Sequence, residues 1–97
     1  MAMQTSDRDR KKAWKAAERQ KAKDAFPLPA EALERLFAHV AHAVEAEGCD
    51  HSLRATKAWL ATEACDRQAV IAWLEENGGY CDCEVLGNAA EAWERNR

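Results

Sequence analysis

Apolar residues in the middle of the chain recur at the three- and four-residue intervals that line one side of an α-helix. Leu33, Leu36, Phe37, Val40, Ala41 and Val44 form the longest such stripe. Pro29 suits its first helical position, Glu31 and Glu34 favour its positive end, and Gly48 ends it as a residue free to turn left-handed. A shorter stripe of Leu53, Thr56, Trp59 and Leu60 predicts a third helix from Ser52 to about Glu63, with Asp50 or Ser52 as its cap. Asp66 can cap a fourth, whose inner positions are Val70, Ile71, Trp73 and Leu74 and which closes at Asn77-Gly78-Gly79. Val85, Leu86, Ala89, Ala90 and Trp93 predict one or two further helical turns, with Asn88 and Glu91 as a capping pair if Gly87 interrupts them. A strand over 83–86 is the alternative, and no other segment offers a partner for it.

The first segment differs in kind. From Asp7 to Ala25 it is rich in Lys, Arg, Ala, Glu and Gln, all good helix formers, and Ser6 with Asp9 resembles a capping box. Its apolar face is thin, resting on Trp14, Ala17 and Ala25, and Pro27 and Pro29 stop it, leaving Leu28 in a tight connector. The expected organisation is a basic helical arm over residues 1–26 followed by an all-α domain over 27–97.

Charge sharpens that division. Residues 1–25 hold eight Lys or Arg against four Asp or Glu, a net of +4, while the remainder holds six against thirteen, a net of -7. A basic arm on an acidic body binds an outside anion such as RNA, meets an acidic partner, or lies along its own surface. No run approaches the roughly 18 apolar residues of a membrane span, and the N-terminus lacks the apolar stretch of a secretory signal, so the expected location is cytoplasmic. In that reducing compartment the four Cys residues are expected as metal ligands or free thiols rather than disulfides.

Two stretches carry the chemistry: Cys49-Asp50-His51 ahead of the third helix and Cys81-Asp82-Cys83 after the fourth. If each helix spans about 12 residues, or about 18 Å, a short break makes them an antiparallel hairpin and returns both stretches to one end. Three thiolates and an imidazole converging there form a Cys3His set suited to a closed tetrahedral zinc site. The expected ligands are therefore Cys49, His51, Cys81 and Cys83, with zinc fastening the open end of the hairpin. Cys65 falls at the opposite end and is left out. Redox or transient copper chemistry of the Cys81-Asp82-Cys83 pair, and inert buried thiols, are the competing readings. Asp50 and Asp82 fit hydrogen-bonding roles around a metal, or helix caps, better than catalysis beside a metal-bound water, because four protein ligands leave no open position.

Cys49-Asp50-His51-Ser52-Leu53-Arg54, together with Trp73-Leu74-Glu75-Glu76-Asn77-Gly78-Gly79-Tyr80-Cys81-Asp82-Cys83-Glu84-Val85-Leu86, resembles an uncharacterised bacterial family, domain of unknown function 2695, over about residues 27 to 88. The resemblance implies that the two Cys stretches are the family's signature and carries no activity with it.

The remaining candidates are weaker. His39 and His42 project opposite the apolar stripe and are expected in solvent. Trp59, Trp73 and Trp93 are expected in the core. Trp14, flanked by Arg10, Lys11, Lys12 and Lys15, fits either an RNA-contacting helix or an amphipathic one that packs the indole on the body. No catalytic constellation is recognised. The functional expectation is a small structural-zinc module that binds a protein or RNA partner; the alternative is a metal or thiol handling protein that uses the Cys-x-Cys pair.

Overall fold

The computed structural model describes residues 7–97, with side-chain surroundings from Arg10 onward; the Ser6–Asp9 capping box falls outside the residues so described. The elements are α1 (Asp7–Asp24), α2 (Ala30–Glu47), α3 (Arg54–Ala61), α4 (Arg67–Glu76), α5 (Asp82–Glu84), a π-helical segment (Val85–Ala89) and α6 (Ala90–Asn96). The architecture is all-helical among the described residues. None of these helices is long and apolar enough to cross a membrane.

The stripe on α2 buries Leu33, Leu36, Phe37 and Val40, whereas Val44 is half-buried and Ala41 is exposed. Gly48 closes the helix as expected, at φ 76° with its amide on the Val44 carbonyl at 2.8 Å. These four side chains pack with Leu53, Trp59, Leu60, Val70, Trp73, Leu74, Val85, Ala89 and Trp93 in one core, so the three tryptophans expected inside are there. Burying a Leu- or Val-sized side chain is worth roughly 1.5–3 kcal/mol, and these side chains come from five different elements. The domain's stability therefore depends on all of them meeting.

Helices α3 and α4 are shorter than their stripes predict, because residues 62–66 form an irregular connector rather than a two-residue break. Asp66 caps α4 as expected, accepting from the Ala69 amide at 3.1 Å. Neither Asp50 nor Ser52 caps α3; Leu53 stands at that position without a side-chain hydrogen bond of its own. The helix lies mainly across α2, while α4 packs against the π segment.

The C-terminal expectation also changes. Gly87 does not interrupt: the chain is helical from Asp82 to Asn96, with one wide turn in which the Ala90 amide reaches the Val85 carbonyl. Gly87 is exposed and adds no side chain to crowd that turn. Asn88 caps nothing; its amide nitrogen donates to the Gly78 carbonyl at 3.0 Å, tying the π segment to the turn after α4. The segment considered for a strand, 83–86, is part of this helical run.

Helix α1 touches the rest of the molecule near its C-terminal end, against α6. Every residue from Arg10 to Lys21 is exposed, and Trp14 is 64% exposed. Trp14, Ala17 and Ala25 are therefore not a packing face. Docking is carried instead by half-buried Ala22 and Phe26, the Phe26 ring meeting the Trp73 ring edge-on at 5.8 Å. A helix so placed extends the molecule to 63 Å in its long direction against 25 and 19 Å in the others.

Candidate metal centre

The site is built where the chain leaves α2 and where it enters α5. Beyond Gly48, Cys49 and Asp50 run without regular structure, and His51 takes a positive φ of 66°, an uncommon conformation for a residue with a Cβ. Asp50 then accepts from the Ser52 amide at 3.1 Å and from the Ser52 hydroxyl. The turn points the Cys49 sulfur back at the chain, where it accepts from the His51 amide at 3.4 Å.

The opposite wall comes from Gly78 to Cys83. Gly78 turns the chain at φ 82°, and a Cβ on Gly79 would lie 3.0 Å from the Leu74 carbonyl oxygen and 3.2 Å from Val85. The backbone therefore approaches closely enough to deliver Cys81 to the N-cap position of α5, with Cys83 inside its first turn. The helix thus starts before Cys83, not after it. The Cys81 and Cys83 sulfurs lie 3.4 Å apart, and the Cys83 amide donates to the Cys49 sulfur at 3.4 Å.

Asp82, between the two, is 2% exposed. Its carboxylate accepts from the amides of Ala55 at 2.9 Å and Thr56 at 3.1 Å and from the Thr56 hydroxyl at 2.8 Å, and its amide donates to the Ser52 carbonyl at 2.9 Å. It is the missing cap of α3, supplied from 26 residues away. A capping role for Asp82 is among the expectations, and it is met; sequence spacing conceals which helix it serves, since capping rules look only at neighbours.

The Sγ atoms of Cys49, Cys81 and Cys83 all lie within 4.8 Å of one another. Sulfurs bound about 2.3 Å from one tetrahedral ion stand roughly 3.8 Å apart, so these three fit one thiophilic metal ion with small adjustments. Cys49 is half-buried, Cys81 buried and Cys83 exposed, which puts the cluster at the protein surface. The His51 ring is exposed and its nitrogens are not among the atoms that converge. Cys65 stands apart, half-buried against the core.

The sulfurs share protons unequally. Amide donors from Cys83 and His51 hold the Cys49 thiol below its ordinary value of 9.0, while Cys83, acting as donor toward the Cys81 and Cys49 sulfurs and facing their negative charge, is pushed up to about 11. Three sulfurs this close are what a cation would complete, because a metal ion replaces the protons that otherwise keep like charges apart.

The other candidates lie elsewhere. His39 and His42 are exposed, as expected, and line a shallow groove of about 400 Å3 between α2 and α3 with Arg54 and Glu47. Arg10, Lys11, Lys12, Trp14 and Lys15 are all exposed on α1.

The sequence model of a family described as protein of unknown function (DUF2695) matches residues 36–88, a span that contains both Cys stretches. Uncharacterised proteins of Mycobacterium tuberculosis and Mycobacterium bovis are each 32% identical over 76 residues, covering 78% of this chain and 77% of theirs. No solved structure matches the chain.

Proposed function

The chain belongs to the DUF2695 family, which brings no activity with it, and from that premise we propose a function read from the site: a structural zinc module with no catalytic role. The convergence of the Cys49, Cys81 and Cys83 sulfurs carries this reading. Zinc is the proposed ion because three thiolates favour a soft or borderline cation over hard ones. His51 is the proposed fourth ligand. Its ring stands two residues from Cys49 on a short irregular segment, and its exposed position leaves the side chain free to turn toward the sulfurs. Four protein ligands close the coordination sphere and leave no position for substrate or activated water.

Such an ion would join the exit of α2 to the start of α5 and hold Asp82 against α3, supplementing a core that is modest for 97 residues. Elemental analysis of the purified protein, with thiol titration before and after chelation, tests the proposal. One zinc per chain with Cys65 as the sole reactive thiol is the expected result. No metal and four reactive thiols would overturn it.

A second reading draws on the exposure of Cys83: a ligand open to solvent can pass its ion to another thiol, as a metal-handling protein requires. Fast transfer of the ion to a competing chelator, without unfolding, would favour that reading over the structural one.

A further inference from the structure

We propose that α1 is a binding element for single-stranded RNA, with Lys12, Lys15, Arg19 and Lys23 contacting phosphates and Trp14 stacking on an unpaired base. At 3.6 residues per turn, these four cations fall within a sector of about 80° and follow the helix at intervals of three and four residues, over about 16 Å of its length. All four are exposed. The acidic side chains near them are engaged elsewhere: Glu18 pairs with Lys21 at 3.6 Å, and Asp24 accepts from Gln20 at 3.0 Å. Among the described residues, none of the four cations has a carboxylate partner within ion-pair distance.

Trp14 lies on the other side of the helix, about 140° from the centre of the stripe; residues 10–21 are exposed all round, so a flexible single strand passes from the cations to the indole where a stiff duplex does not. An indole 64% exposed, with Arg10 and Lys11 one turn before it, presents a flat apolar face beside positive charge. A duplex keeps its bases stacked and offers phosphates alone, whereas a single strand offers phosphates and an open base face together. Several carboxylates on the acidic body that a second copy would offer are already occupied: Glu47 by Arg54, Glu94 by Arg97, Asp66 by the Ala69 amide and Asp82 by α3.

The test is titration of a fluorescein-labelled oligouridylate with the full-length protein, across a series of salt concentrations and against a duplex of the same length. Binding should weaken with a log–log salt slope of about -3, the value for four phosphate contacts on a single strand. The duplex should bind more weakly. Trp14→Ala should weaken binding about tenfold with little change in slope, and Lys15→Glu with Arg19→Glu should abolish it. Because α1 is solvent-exposed over this stretch, both variants should keep wild-type circular dichroism and metal content, which separates failure here from failure of the zinc reading. Absence of binding at low salt, equal affinity for the duplex, or an unaffected Trp14→Ala variant would overturn the proposal. So would salt-sensitive dimerisation of the free protein abolished by the same charge reversal, which would make a second copy the occupant.

Discussion

Asp82 and Thr56 meet with both of Thr56's donors on one carboxylate oxygen, the hydroxyl at 2.8 Å and the amide at 3.1 Å, while the second oxygen takes the Ala55 amide at 2.9 Å. The first turn of α3 thus has its orphan amides answered by a residue from the stretch that carries Cys81 and Cys83. The geometry links two features that look independent in the sequence: the Cys81–Cys83 pair and the position of α3.

Replacing Asp82 by Asn should therefore be costly despite its similar size. One carboxylate oxygen becomes an NH2 group facing an amide donor, and charge-assisted hydrogen bonds are worth about 1.5–3 kcal/mol each. We expect a loss of about 2 kcal/mol for Asp82→Asn and about 1 kcal/mol for Thr56→Val, read from the midpoint of urea unfolding. The loss should appear in metal-loaded and chelated protein alike, because the cap is formed by protein groups alone. An Asp82→Asn midpoint equal to wild type would show that the carboxylate does not hold α3.

Metal removal should lower the melting temperature sharply, since structural zinc in small domains supplies on the order of 10 kcal/mol of apparent binding energy. Cys81→Ser and Cys83→Ser should each melt near the chelated wild type, whereas Cys65→Ser, whose sulfur lies outside the cluster, should melt near the loaded one. Differential scanning calorimetry with and without chelator distinguishes these outcomes. A Cys83→Ser protein that retains metal and melts as wild type would remove Cys83 from the ligand set.

The pH dependence follows from the shared protons. With Cys83 pushed up to about 11, its thiol is protonated at neutral pH in metal-free protein and must lose that proton on loading. Apparent metal affinity should rise with pH through the neutral range, and proton release should show in calorimetric titrations run in buffers of different ionisation enthalpy. For the metal-free fold the sign reverses for this group. Its raised value favours the folded state below the ordinary 9.0 and ceases to do so as pH rises through about 11, while Cys49, held below 9.0, contributes above its ordinary value and loses that contribution as pH falls. The two act in adjacent windows, so chelated protein should be most stable near about pH 9 and lose stability on either side, whereas metal affinity rises through the neutral range.

How much of this was legible in the sequence depends on how far apart the interacting residues lie. The α2 stripe, the Asp66 cap and the Gly48 stop are local patterns, and local chemistry decides them. The convergence of Cys49, Cys81 and Cys83 was legible at one remove, through the return of the chain after α4. Three features were not. A cap at Asp82 is expected, but its helix is not: it joins residues 26 and 27 apart, beyond any capping rule. The sequence allows a break at Gly87 and Asn88, because glycine often is one; here the chain continues through a wide turn that buries Val85 and Ala89 together and aims Asn88 at Gly78. Trp14 reads either as an RNA-contacting indole or as one packed on the body, and only the structure reveals that it is exposed while Ala22 and Phe26 do the docking.

The turn that delivers the cysteines offers a steric test. Gly79 is buried, and a methyl group there would meet the Leu74 carbonyl oxygen at 3.0 Å and the Val85 Cγ2 and Cα atoms at 3.2 and 3.3 Å. Two of these three atoms belong to backbone and cannot swing aside, so Gly79→Ala should cost about 1–3 kcal/mol as an overpacking substitution. It should also weaken metal binding by shifting Cys81. Gly87→Ala, with open space around its Cβ, should instead be neutral or stabilising by about 0.5–1 kcal/mol through the helical preference of alanine. Opposite signs at two glycines eight residues apart would show that close approach, not flexibility, is what position 79 requires.

The proposed fourth ligand can be tested without disturbing the backbone. His51 sits at φ 66°, so His51→Ala would mix the loss of an imidazole with the strain of a left-handed alanine. Asparagine tolerates that conformation far better, which makes His51→Asn the cleaner substitution. If the imidazole binds the ion, His51→Asn should keep the helical content and the melting temperature of chelated wild type, yet lower metal affinity by on the order of 10–100-fold, no less than the loss of a residue that only hydrogen-bonds to a ligand. Cobalt substitution gives a direct readout: a tetrahedral site with three sulfurs and one nitrogen should change its visible absorption in the variant. Unaltered affinity and an unaltered cobalt spectrum would place water or another group in the fourth position, and a site left open in that way would favour metal exchange over a purely structural role.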